Sequence, residues 1–153
     1  MQERVALSRR SIEKNGPDAL KDWGPMYLYY GCRYSKRDFL YAGEWSEYAK
    51  ELGDKFIMRT AFSRDDPKKK VYVQQLMWED HEKLAELIAD GKAYIFICGD
   101  AKGMCKDVED GLVKMLGERK VRAKGGEGDA EKEGQQELKM LKERSRLMLD
   151  VWS

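Results

Sequence analysis

The run Ala93-Tyr94-Ile95-Phe96-Ile97-Cys98 constrains this chain more than any other stretch. It is nearly continuous in apolar residues and stops at Gly99-Asp100. A short apolar run bounded by a turn signal reads as a strand covered on both faces, as in a parallel sheet. Residues 26–30, 56–62 and 147–153 read as three further strands. Residues 2–14, 38–50, 79–89, 103–116 and 136–146 carry helical patterns between them, the first ending at the stop signal Asn15-Gly16-Pro17. Strands alternating with helices predict an α/β fold: a parallel sheet with flanking helices.

The side chains expected in the core follow from the same spacing. Leu84, Leu87 and Ile88 share one face of the 79–89 helix, and Met104, Val108, Leu112 and Met115 one face of the next. Phe39, Leu40, Trp45 and Tyr48 are available for packing from residues 38–50, and Leu138 and Leu141 from the last helix. Residues 118–135 differ in kind. Between Arg122 and Glu137 there is no large apolar residue, and Gly125-Gly126-Glu127-Gly128 interrupts the middle. This composition predicts a flexible, charged, disordered insertion within a single domain spanning 1–153.

Charged residues make up 37% of the chain and hydrophobic ones 42%, so a globular core is feasible. A net charge of +1 gives no support for a nucleic-acid or membrane-surface partner. No apolar run approaches the ~18 residues of a membrane span, and no signal peptide is visible. Cys32, Cys98 and Cys105 are odd in number and lack metal-type spacing, which fits a reduced intracellular compartment. With His81 as the single histidine, no metal site and no Ser-His-Asp triad is expected, and His81 reads as a surface residue in a first helical turn.

The segment with the most chemistry is Ala61-Phe62-Ser63-Arg64 followed by Lys70-Val71-Tyr72-Val73-Gln74. It follows a strand and offers a hydroxyl, a guanidinium, an ammonium and a phenol. Those groups can hold a phosphate monoester, with Arg as a planar fork and Lys as a point charge, and Tyr72 adds a flat face for an aromatic base. In doubly wound folds such a strand end recognises the 2′-phosphate of NADP. A solvated basic loop is the competing reading, just as Cys98 can be a small core residue and Trp152 an ordinary packing residue.

Four blocks together resemble one family. They are Tyr30-Gly31-Cys32-Arg33 with Asp38-Phe39-Leu40-Tyr41 and Glu44-Trp45; the segment 61–74; Cys98-Gly99-Asp100-Ala101 with Met104 and Asp107-Val108; and Asp150-Val151-Trp152-Ser153. In this order they resemble the C-terminal, ferredoxin-reductase-type NADP-binding module of the diflavin reductases, nearest the branch that reduces haem proteins. In that family electrons pass from NADPH to FAD, then FMN, then a haem protein of the cytochrome P-450 type. The resemblance implies that Ser63, Arg64, Lys70 and Tyr72 hold the 2′-phosphate, with Gln74 close by and Arg33 near the pyrophosphate. It implies that Cys98, Gly99, Asp100 and Met104 line the nicotinamide side. Trp152 would cover the flavin, and Cys98 and Asp150 would assist hydride transfer. The loop 65–69 leaves the phosphate lysine open between Lys69 and Lys70.

The chain departs from that pattern at its start. Gln2-Glu3-Arg4 resembles the interior of the module's first helix. The family's first strand, central in its 3-2-1-4-5 order, and its glycine loop have no counterpart here, nor do the FAD and FMN regions and the membrane anchor. The expectation is therefore an N-terminally truncated module, marginal in stability and inactive alone. The full-length family protein would lie on the cytoplasmic face of the endoplasmic reticulum, and this chain in the cytosol. The alternatives are a nucleotide-binding or inert fragment, or part of another diflavin reductase.

Overall fold

The computed structural model describes residues 2–90 and 92–152, so Ser153 of the last expected block lies outside the described residues. Two compact units emerge, residues 1–73 and 74–153.

In the first unit, α1 (Gln2–Asn15) and a short 3-10 helix (Pro17–Leu20) precede β1 (Met26–Cys32). Helix α2 (Ala42–Leu52) then leads to β2 (Phe56–Phe62). β1 and β2 pair in parallel, from Met26 opposite Phe56 to Cys32 opposite Phe62. Two parallel neighbours need a crossover, and α2 supplies it. Val5, Leu20, Tyr48, Leu52 and Phe56 form the buried centre of this unit, flanked by Ile12, Trp23, Met26, Leu28, Trp45 and Met58. Arg9 closes the outside with a two-pronged pair to Glu51, at 2.7 and 2.6 Å. That pair holds the Glu51 carboxyl below its ordinary value.

Helix α2 starts later than its pattern suggested. Residues 38–41 form turns, and Tyr41 sits in the left-handed region at φ 61°. Tyr30 explains the delay: its hydroxyl donates to the Asp38 carbonyl at 3.1 Å and accepts the Leu40 N–H at 3.2 Å. These bonds hold the chain in a loop and leave Leu40 exposed instead of packed.

In the second unit, α3 (Val73–Glu79, its first residue belonging to the other unit) and α4 (His81–Ala89) precede β3 (Ile95–Asp100). The long α5 (Met104–Ala123), α6 (Ala130–Glu143) and β4 (Leu147–Trp152) complete it. β3 and β4 pair in parallel from Ile95 opposite Leu147 to Asp100 opposite Trp152. Leu84, Ile88, Ile97, Val108, Leu112, Met115 and Leu141 are buried here, and Leu87 and Leu138 are partly so. His81 is half-buried: its ring stacks on Trp78 at 4.5 Å between centroids.

Among the described residues β1 pairs only with β2, and β3 only with β4. The fold is mixed α/β with parallel strands, as a ferredoxin-reductase-type NADP-binding domain requires. The expected two-sided burial of the 93–98 run is corrected. Burial alternates along β3, with Ile97 buried while Phe96 is 74% exposed. A strand with one covered face follows the period of 2 whatever its apolar content.

Residues 118–135 also depart from expectation. They are helical except at 124–129, because α5 runs on to Ala123 and α6 begins at Ala130. Gly117 and Gly134 let the two helices touch at the backbone. A Cβ at Gly117 would overlap the Ala130 carbonyl, and one at Gly134 the Val113 carbonyl. Ion pairs Lys120–Glu137, Lys124–Glu133 and Lys142–Glu109 lace the contact. Asp129 caps α6 by accepting the Glu131 and Lys132 N–H groups at 3.0 and 3.2 Å. No described helix is long and apolar enough to cross a membrane.

Candidate functional site

The candidate residues fall into two groups, one at the carboxyl end of each parallel strand pair. In the first unit, strand pairing continues into the loops. Beyond Cys32 opposite Phe62, the Ser63 N–H donates to the Cys32 carbonyl at 3.0 Å and the Arg64 N–H to the Arg33 carbonyl at 2.9 Å. Arg33 and Arg64 therefore leave adjacent strand ends side by side. Asp65 adds a further link, its Oδ1 accepting the Ser35 N–H at 3.0 Å. Asp66 turns the following loop by accepting the Lys68 N–H at 2.8 Å.

The chain then returns to the same end. A Cβ on Gly31 would meet Val73 Cγ1 at 2.8 Å, so Val73 packs directly on the backbone of β1. This contact brings the strip carrying Lys70 and Tyr72 back beside the β1 end, and both side chains are exposed. Ser63 and Arg64 thus adjoin Arg33 through backbone bonds, and Val73 carries the Lys70–Tyr72 strip back to β1. The polar groups of Arg33, Ser63, Arg64, Lys70 and Tyr72 are two hydroxyls and three cations. Nearby, Cys32 is half-buried, and burial first, then Asp38 and Asp65, push its thiol pKa up.

In the second unit the β3–β4 register sets Cys98 opposite Asp150, Gly99 opposite Val151 and Asp100 opposite Trp152. Cys98 Sγ lies 4.0 Å from Asp150 Oδ2. Side chains alternate faces along a strand, so Cys98, Asp100, Asp150 and Trp152 share a face. Trp152 is 60% exposed there. The Ala101 N–H donates to the Trp152 carbonyl at 2.8 Å and extends the pairing past the last register position.

Gly99 sits at φ 153°, where side chains are strained, and a Cβ would run into Met104 Cε. Met104 thereby lies over the backbone of the turn. Asp100 has a structural task as well: its Oδ2 accepts the Gly103 N–H at 2.5 Å and holds the entry to α5. Gln74, also in this unit, donates to Asp107 Oδ2 at 2.9 Å. Sequence reasoning assigned no role to Asp65, Val73 or Asp107. Their contacts join residues distant in the sequence, and only an acidic or β-branched residue next to a motif hinted at them.

Two surface concavities lie elsewhere. One of about 560 Å³ in the first unit is lined by Tyr30, Tyr41, Trp45 and Tyr48 among others. One of about 190 Å³ in the second is lined by His81, Met115, Arg119 and Arg122 among others. Neither contains an expected site residue. The strand ends are the stronger candidate, because open α/β sheets present their loop donors outside the carboxyl ends of the strands.

Residues 8–110 match the family model described as the oxidoreductase NAD-binding domain, and the chain belongs to that family. It is 62% identical over 157 residues to the NADPH–cytochrome P450 reductase of Phanerodontia chrysosporium, covering 100% of this chain and 20% of that protein. The protein of the same name from Candida tropicalis is 42% identical over 140 residues, covering 91% of this chain and 19% of its own length. That of Saccharomyces cerevisiae is 40% identical over 152 residues, covering 99% of this chain and 20% of its own. The chain thus spans about a fifth of the length of the curated relatives it matches.

Proposed function

We propose that this chain is the NADP(H)-binding part of an NADPH–haemoprotein reductase, the cytochrome P450 reductase type of oxidoreductase. The observation that carries the reading is the register of β3 and β4, which sets Cys98 beside Asp150 and Asp100 beside Trp152. Residues to which the resemblance gives the nicotinamide side, hydride transfer and the flavin cover share one strand end.

The first unit holds the adenosine end. Arg64 forks around the 2′-phosphate, and Ser63 and Lys70 supply a hydroxyl and a point charge. Tyr72 offers its ring to the base and Arg33 serves the pyrophosphate. The donor set fits a dianionic phosphate, since it joins a guanidinium, an ammonium and a hydroxyl with no metal ligand among them. NADPH, when bound, supplies a hydride that the family passes to FAD.

In the second unit, Gly99 lets the backbone approach the nicotinamide, with Met104 behind it. The Asp150 carboxylate favours the positive charge that grows on the ring as hydride leaves, and Cys98 sits against it. The Trp152 indole covers the flavin ring until nicotinamide displaces it. In the longer protein FAD and FMN would supply the one-electron relay toward a cytochrome P-450-type haem protein, at the cytoplasmic face of the endoplasmic reticulum. The chain alone, lacking flavins, transfers none.

Calorimetric titration with NADP⁺ and NAD⁺ tests the reading. The chain should prefer NADP⁺, and Arg64→Ala should abolish the preference. Equal binding of both by the unsubstituted chain contradicts the proposal. Reduction of a cytochrome by the chain with NADPH and added flavins contradicts its inactivity alone.

A further inference from the structure

We infer that Asp65 is a positioning residue of the phosphate grip: its carboxylate locks the loop after β2 to the loop after β1, so that Ser63 and Arg64 meet a phosphate monoester as one preorganised set. The inference rests on the reading of residues 63–72 as a 2′-phosphate grip.

An aspartate next to such a grip is electrostatically adverse, because its charge repels the ligand's. The geometry supplies its use. Regular pairing of β1 and β2 ends at Cys32 opposite Phe62. Two backbone bonds carry it further, from Ser63 to Cys32 and from Arg64 to Arg33, at 3.0 and 2.9 Å. The next link is made by a side chain, Asp65 Oδ1 accepting the Ser35 N–H at 3.0 Å. Three consecutive residues of one loop are thereby fastened to the other.

The neighbouring acids behave differently. Asp38 Oδ2 accepts the Tyr34 N–H at 3.1 Å and Asp66 Oδ1 the Lys68 N–H at 2.8 Å, each within its own loop. Asp65 alone of these three crosses between the loops. Charge-assisted bonds of this kind are stronger than neutral ones. Fixing donors before the ligand arrives lowers the ordering cost of binding. Asp65 thus trades some repulsion for rigidity, and the rigid set discriminates in favour of a phosphate at one position.

The test uses the full 153-residue chain with Asp65→Ala and Asp65→Asn. Asparagine keeps an oxygen acceptor for the Ser35 N–H and removes the charge. Affinities for 2′-phospho-AMP and 5′-AMP are measured by calorimetry, and exchange of the Ser35 amide hydrogen by NMR. Asp65→Ala should lose about tenfold in affinity for 2′-phospho-AMP, the equivalent of one lost hydrogen bond, with 5′-AMP little changed. Asp65→Asn should bind 2′-phospho-AMP as tightly as the unsubstituted chain or more so. Ser35 exchange should accelerate in the alanine variant only.

Equal tightening in both variants would mean that Asp65 acts only through its charge and would overturn the inference. So would a preference for 2′-phospho-AMP undiminished by Asp65→Ala, or Ser35 exchange at one rate in all three chains. Absence of any preference in the unsubstituted chain would overturn the grip itself, and the inference with it.

Discussion

The three thiols show how local surroundings separate chemically identical residues. Cys98 is exposed beside Asp150, Cys32 is half-buried under the loop after β1, and Cys105 is buried in α5. Burial raises the pKa of Cys32 and of Cys105 above the ordinary 9.0, with Glu109 adding to it at Cys105. Only the thiolate reacts, so a raised pKa and restricted access both slow alkylation. Iodoacetamide near neutral pH should label Cys98 well before the other two, with Cys32 and Cys105 catching up as pH rises toward their pKa values. Peptide mass spectrometry reads the order, and equal labelling of all three near neutrality would contradict it. Residue types were legible in the sequence here, since a Cys, a Gly and an Asp at one strand end announce a turn with chemistry. Partnerships were not: Gln74 with Asp107 and Asp65 with Ser35 join residues far apart in the chain, and no local spacing encodes them.

At the scale of elements, two helices end in the same hydrogen-bond pattern with different residues. After α5, Gly125 takes φ 78°, and the Gly125 and Gly126 N–H groups return to the Arg122 and Val121 carbonyls. After α6, Ser145 takes φ 53°, and the Ser145 and Arg146 N–H groups return to Lys142 and Leu141. Glycine adopts this left-handed cap freely, whereas a serine side chain is strained in it. Ser145→Gly should therefore stabilise the second unit by about 1 kcal/mol. Gly117→Ala should cost about 1–3 kcal/mol, because the added methyl meets the α6 backbone. Urea denaturation measures both, and a neutral Gly117→Ala would contradict the close helix contact. This hairpin was the least legible part of the sequence. Lack of large apolar residues reads as disorder when burial is the only criterion, yet here small residues allow contact through the backbone, and acid–base pairs finish the surface. The strands were legible to within a residue or two, because turn signals bound each apolar run. The extent to which β3 is covered was not, since that depends on neighbours.

On the scale of the molecule, the four strands among the described residues make two two-stranded sheets, each with edges that no described strand covers. Two-stranded sheets are marginal by themselves, and open edges invite pairing with other chains. Thermal unfolding of the chain should accordingly be weakly cooperative, with a midpoint below the ~45–65 °C usual for such domains and a tendency to aggregate that grows with concentration. A sharp, concentration-independent transition above that range would contradict this. The alternation of strands and helices made the α/β class legible from the sequence; the division into two units was not, because contact density leaves no mark on composition. The central claim is that the β1–β2 strand ends grip a 2′-phosphate. The most direct measurement is paired calorimetry of 2′-phospho-AMP and 5′-AMP, which differ in that phosphate alone, near the ~10–20 °C at which such folds are most stable. The account predicts tighter binding of 2′-phospho-AMP by at least about tenfold, the equivalent of one charge-assisted contact; equal affinities for the two nucleotides would contradict it.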